Sequence, residues 1–230
     1  RRRNAERFAP RRERRPARLA EQDVVGAQGG LRPRRQPAAD GLAGSSKPAI
    51  RAYDILFGQP AGAPLEAAAK PLGVALARDH ADAVREADLV MLTVTASSSL
   101  EAARSCLPGL RKGQLFLDMN SVSPKRKIET AALVSPTGAA YVDVAVMAPA
   151  APHLHKVPCL IGGPGAAALV PRAAALGMRM EFVSAEVGQA SAIKMFRSIV
   201  VKGLEALLVE SMTAAAEYGV EDRVLASLQE

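Results

Sequence analysis

Between Ala49 and Val183 the chain repeats one pattern: a short apolar run, a stretch of helix formers, then another apolar run. The clearest run is Asp88-Leu-Val-Met-Leu-Thr-Val-Thr95. Its apolar residues are consecutive, not alternate, which suits a central parallel strand covered on both faces. Further strands are predicted over 49–54, 114–119, 141–147, 158–161 and 178–183. Helices are predicted over 80–87, 98–110 and 164–176, with a helix or turn over 64–71. Another helix opens at Ser123-Pro124, serine as the cap and proline in the first turn. Ser98 or Ser99 is placed to cap the helix over 98–110. Strands alternating with helices specify an α/β fold with a doubly wound parallel sheet.

The alternation stops at Val187. From there to Gly219 there is no proline, and only Gly188, Gly203 and Gly219 interrupt the helix formers. Ile193, Phe196, Val200, Leu204, Leu207 and Leu208 recur at three- and four-residue steps, predicting one buried face of a long helix. Ile199, Val201 and Val209 lie off that stripe, so burial on more than one side is expected. Lys194, Ser198 and Lys202 are four apart and share a face, with Arg197 beside them. Two readings of Lys194 are open on this stretch alone. Its amine snorkels to water, as most lysines do, or it is desolvated and works as a base.

The formal charge of +7 is not spread evenly. Residues 1–35 hold twelve Arg against four acids, a balance of +8, which leaves −1 for the rest. The basicity therefore belongs to an arm, and a nucleic-acid interaction would rest on that arm alone. Cys106 and Cys159 are too few for a disulfide framework, so a reducing, cytoplasmic location is expected. No apolar run reaches the roughly 18 residues of a membrane span.

In doubly wound folds, ligands sit at the carboxyl ends of the strands. The candidates there are Asp54, Val94-Thr95-Ala96, Asn120 to Ser123, and Asp143 to Pro149. Asp54 can accept hydrogen bonds from an adenosine ribose or serve as a plain turn aspartate. The hydroxyls and helix start at 120–123 can hold a carboxylate or simply cap the helix.

Together with Lys194, these segments resemble the β-hydroxyacid dehydrogenases, the family of 6-phosphogluconate dehydrogenase and 3-hydroxyisobutyrate dehydrogenase. The Asp-x-Ser-Thr-x-Ser-Pro segment of that family is matched by Asp118-Met-Asn-Ser-Val-Ser-Pro124. Its Gly-x-Gly-x-x-x-Lys segment is matched by Gly188-Gln-Ala-Ser-Ala-Ile-Lys194. The wording at 194–198 and 202–203 is similar to a bacterial branch with a distinctive helical C-terminal domain. The resemblance covers about residues 40–230. It implies a Rossmann-like sheet at 40–186 and, at 187–230, the start of an all-α domain for substrate binding and homodimer formation. It implies NAD or NADP as cofactor, held at Asp54, Val94, Thr95, Ala96 and Asn120, and a small hydroxyacid as substrate. Lys194 is the expected general base. Ser121 and Ser123 are expected to orient the substrate carboxylate. Arg197, Ser198 and Lys202 would meet its distal acidic part.

Three departures qualify what is expected. Ser198 stands where the family has Asn. Asp143-Val-Ala-Val-Met-Ala-Pro149 lacks the family's serine and glycines, so 6-phosphogluconate itself is not expected as substrate. Most importantly, no Gly-x-Gly-x-x-Gly stands about two dozen residues before Asp54; Gly30 is followed by Arg32 and Arg35. Residues 1–39 thus read as a disordered Arg-rich segment, consistent with out-of-frame translation, and the first strand and glycine loop as lost. The C-terminus reads as cut. Weak cofactor binding is one consequence. The rival expectation is an inactive Rossmann-like fragment whose basic arm binds nucleic acid. His153 and His155 read as a loop pair with no third metal ligand nearby. The glycines at 162–165 read as a turn, and Cys106 as core.

Overall fold

A computed structural model describes residues 24–29 (backbone), 49–150 and 153–229. The arginine-rich arm, and with it any nucleic-acid contact it makes, lies outside the described residues apart from 24–29. The strands are β1 (Val24–Gly29), β2 (Ala49–Asp54), β3 (Ala75–Leu76), β4 (Ala87–Thr93), β5 (Leu115–Asp118), β6 (Ala140–Val146), β7 (Cys159–Gly162) and β8 (Met180–Ser184). They form one sheet in the order β3-β2-β1-β4-β5-β6-β7-β8. Between them run α1 (Ala63–Ala69), α2 (His80–Val84), α3 (Ser99–Cys106), α4 (Pro124–Val134) and α5 (Ala166–Ala175), followed by α6 (Gln189–Tyr218) and α7 (Glu221–Ser227).

The centre, β4-β5-β6, is parallel as predicted. Consecutive apolar residues there feed two cores at once, because side chains alternate faces. Phe116 and Tyr141 join Val84, Ala103, Cys106 and Val134 on one face. Leu115, Leu117, Val142 and Val144 join Leu169 and Ala173 of α5 on the other. Full burial of a side chain such as Leu117 or Phe116 contributes about 1.5–3 kcal/mol. Cys106 is buried, as expected of a core residue.

The sheet departs from the all-parallel expectation at three strands. β7 runs antiparallel to β6, and β8 follows β7 in parallel. β1 lies between β2 and β4 and is antiparallel to both. This strand falls inside the segment expected to be disordered, so that expectation is corrected for Val24–Gly29. Without a strand in the slot, β2 and β4 would each leave a row of unpaired backbone groups in mid-sheet.

A second correction concerns α6. Its N-terminal turns pack on β6, β7, β8 and α4. Beyond them the apolar stripe expected to be buried is exposed, with Phe196 at 68%, Leu204 at 55% and Leu207 at 63%. The periodicity correctly gave a helix with an apolar stripe. Among the described residues, only α7 folds back near its far end. At α3, Ser98 occupies the cap position but its side chain makes no capping bond; its hydroxyl instead accepts from Thr95 Oγ1.

Candidate active site at the strand ends

The carboxyl ends of β4, β5 and β6 open onto the start of α4 and the start of α6. Two acids organise this edge. Asp118 ends β5, Asp143 lies in β6, and the two are register partners on neighbouring strands. Both are fully buried. Two buried carboxylates side by side require compensation, and the structure supplies it from three directions.

Tyr141 donates to Asp118 Oδ2 at 2.7 Å. Burial, then the two acids, push the Tyr141 hydroxyl's pKa far up. Asn120 donates to Asp118 Oδ1 through its backbone N–H at 3.0 Å and its Nδ2 at 2.8 Å. Its Oδ1 in turn accepts from Val94 N at 2.6 Å. Asn120 therefore ties the loop after β5 to the loop after β4.

Asp143 acts on α6. A helix start leaves backbone N–H groups without intrahelical partners. Asp143 Oδ2 accepts from Gly188 N and Ser191 N, each at 3.1 Å, and Oδ1 accepts from the Ser191 hydroxyl. The carboxylate thus caps α6 from another element, where the helix dipole favours negative charge. Gly188 is required at this corner. Its φ is +99°, and a Cβ there would meet Pro124 Cβ at 3.3 Å.

One turn further, Lys194 is half-buried, and its Nζ donates to Ser121 Oγ at 2.8 Å. Burial lowers the pKa of this amine below the ordinary lysine value, and the charge of Lys127 lowers it further. Cys159 and Asp143 pull the other way. Burial pushes the Cys159 thiol up to about 11, against the opposing field of Lys194.

Lys194 and Ser121 face a cavity of about 480 Å³ whose lining also includes Asn120, Ser198 and Lys202. Val144, Ala145, Met195 and Ile199 make its walls largely apolar. Eight residues separate Lys194 from Lys202, about 12 Å along the helix. The fold therefore brings together Lys194, Ser121, Asn120, Ser198 and Lys202. Ser123 is exposed and caps α4, its hydroxyl accepting from Arg126 N at 3.2 Å. Arg197 is exposed, and its Nη1 reaches Met147 O at 3.4 Å; neither residue lines the cavity.

The strand-end segments at 94–98 and at Asp54 differ in their surroundings. The loop at 94–98 is anchored through Val94 to Asn120 and turns back on itself, Ser98 N donating to Thr95 O at 3.2 Å. Ala96 and Ser97 are exposed. Asp54, at the end of β2, is 1% exposed and its Oδ1 accepts from Leu56 N at 2.9 Å, closing its own turn. β1 starts at the edge where β4 ends, Val24 pairing with Thr93, so its carboxyl end lies at the opposite edge.

Three residues of this site escaped the sequence reading. Lys127 and Tyr141 carry no motif of their own, and Ser191 stands at an unspecified position of the 188–194 segment. The available signal was a pair of aspartates ending or interrupting wholly apolar strands, which implies buried donors nearby. His153 precedes the 3₁₀ turn Leu154–Lys156 and His155 lies within it, and no metal-holding cluster occurs among the described residues. The turn at 162–165 links β7 to α5, Gly165 N donating to Tyr141 O. Among the described residues, no helix is long and apolar enough to cross a membrane.

Residues 56–169 match the family described as the NAD binding domain of 6-phosphogluconate dehydrogenase. A Methanothermus fervidus protein described as an uncharacterized 28.5 kDa protein is 31% identical over 162 residues, 70% of this chain and 61% of that one. Among solved structures, a conserved hypothetical protein from Sinorhizobium meliloti 1021 is 39% identical with a TM-score of 0.67, covering 78% of this chain and 60% of that one. The conserved protein MTH1747, described as structurally similar to 3-hydroxyacid dehydrogenases, is 30% identical with a TM-score of 0.64, over 76% of this chain and 64% of that one. The chain thus spans less than two thirds of the length of each of these relatives.

Proposed function

We propose that this chain, whose residues 56–169 match the NAD binding domain of 6-phosphogluconate dehydrogenase, is an NAD(P)-dependent oxidoreductase acting on the hydroxyl of a small β-hydroxyacid. The observation that carries this reading is the half-buried Lys194 amine bonded to Ser121 at the strand ends. A base must be partly neutral at working pH, and desolvation moves Lys194 in that direction.

When bound, the nicotinamide supplies the acceptor for a hydride from the carbinol carbon. Lys194 Nζ takes the hydroxyl proton as that carbon becomes a carbonyl. Ser121 and Ser123, with the start of α4, orient the carboxylate. Ser198 and Lys202 meet the distal end of the substrate, with Arg197 at the rim. Val144 and Ala145, in place of polar groups, favour an apolar substituent over a polyhydroxylated chain. Val94, Thr95, Ala96 and Asn120 shape the nicotinamide edge. Asp54 is kept as the adenosine-side residue, acting through the turn it closes.

The exposed stripe of α6 is covered by a second copy of the chain in this reading, and the free, buried Cys106 and Cys159 suit a bacterial cytoplasm. The test is a titration of NAD and NADP by fluorescence, followed by turnover of small β-hydroxyacids by the native chain and Lys194→Met. Binding without any turnover across that panel would leave a nucleotide-binding protein and remove the dehydrogenase reading.

A further inference from the structure

Behind Lys194 sits a second lysine that the proposed reaction does not use. Lys127 lies one turn into α4 and has no solvent exposure. Its Nζ donates to Asp118 O at 2.6 Å and lies 3.1 Å from Asp118 Oδ1 and 3.5 Å from Asp143 Oδ1. A buried amine is costly unless paired and hydrogen-bonded. Here it has both carboxylates, and each carboxylate holds a different half of the site. Asp118 holds Asn120 and, through it, Val94. Asp143 holds Gly188 and Ser191, the turn that leads into Lys194.

We propose that Lys127 is a positioning residue for the reaction: its buried charge binds two carboxylates into one cluster that sets the loop carrying Ser121 and the helix turn carrying Lys194. This rests on the reading of Lys194 as the base. The charges acting on Lys194 come from Lys127 on α4, Asp143 on β6 and Cys159 on β7. Glu186, after β8, is engaged with Gln189 Nε2 at 2.8 Å. Lys127 is the one whose charge favours the neutral amine, whereas Asp143 and Cys159 oppose it. The cluster thus couples position to protonation: the cation that anchors α6 also keeps Lys194 ready to accept a proton.

The test reads Lys194 directly in the full chain, without cofactor or substrate. Lysines are ¹³C-methylated, Lys194 is assigned by its loss in Lys194→Met, and its titration midpoint is followed by NMR. Hydrogen exchange of residues 188–194 is measured alongside. Lys127→Met is expected to raise the Lys194 midpoint and to speed exchange in that turn. The paired variant Lys127→Met/Asp118→Asn removes the closer ion pair together and leaves Asp143 held by Gly188 N, Ser191 N and the Ser191 hydroxyl. It is expected to raise the midpoint as well, because Lys127, whose charge lowers the Lys194 pKa, is gone and Asp143, which raises it, remains. An unchanged midpoint in either folded variant overturns the proposal. Failure of both to fold makes Lys127 a folding element and equally overturns it. The dehydrogenase reading fails separately, by turnover surviving in Lys194→Met, so the two failures are distinguishable.

Discussion

The amine of Lys194 and the hydroxyl of Ser121 lie 2.8 Å apart across 73 residues of sequence. One residue belongs to a helix that leaves the sheet, the other to the turn after its central strand. Their meeting converts two isolated polar side chains into a candidate base with an oriented neighbour.

Replacing Lys194 by Met removes the proton acceptor while keeping the length of the side chain. Turnover is expected to fall by about 10²–10⁴-fold with the circular dichroism spectrum intact. Steady-state kinetics on the purified variant check this; a rate within a few-fold of the native chain would return Lys194 to an ordinary snorkelling residue.

The pH dependence follows from the direction of the Lys194 shift. Protonated Lys194 cannot accept a proton, so kcat/KM for oxidation rises with pH and levels off once the amine is neutral. Because burial and Lys127 lower its pKa, the rise occurs below the ordinary lysine value of 10.5. In the reverse, reductive direction the protonated amine is the donor, so the rate falls over the same range. Profiles measured both ways should share one midpoint, and Lys194→Met should flatten both.

Asp143→Ala strips the external cap from α6 and leaves Lys127 with a single carboxylate. Breaking a buried ion pair from one side costs about 3–5 kcal/mol. Urea unfolding of the variant reads that loss. A variant as stable as the native chain would mean that water or a neighbouring group replaces the carboxylate.

Gly188→Ala places a side chain at a φ of +99° and against Pro124. The strain is about 1–3 kcal/mol, and relief requires the first turn of α6 to move. The expected signature is a lowered kcat with only a modest fall in unfolding midpoint, since Lys194 rides on that turn.

The apolar stripe beyond the site gives a prediction about assembly. Phe196, Leu204 and Leu207 are all more than half exposed, and a stripe of that kind marks an interaction surface. Leu204→Lys/Leu207→Lys is expected to reduce a dimer to monomers in light scattering after gel filtration. A native chain that is already monomeric at high concentration would remove the second copy from the reading.

Local pattern was enough for most elements. Consecutive apolar residues marked β4, a serine before proline marked α4, and three- and four-residue spacing marked α6, because hydrogen bonding and side-chain periodicity act over a few residues. The same motifs placed Ser121 and Lys194 as candidates. Strand polarity was another matter. Nothing in Val24–Gly29 or Cys159–Gly162 distinguishes a forward strand from a reversed one, since direction is set by which neighbour offers free backbone groups. Nor did the stripe on α6 reveal whether anything covers it.

Asp118, Asp143 and Lys127 show the division most clearly. From the sequence alone they are two aspartates in apolar runs and one lysine among several in a helix. Pairing of β5 with β6 brings the acids side by side, and the packing of α4 over that edge drives Lys127 between them. Local pattern specified most of the helices and strands and the chemical groups they carry. Which charges share a dry interior was settled by the folding of distant segments onto one another, because desolvation and Coulomb energy depend on distance in space and not along the chain.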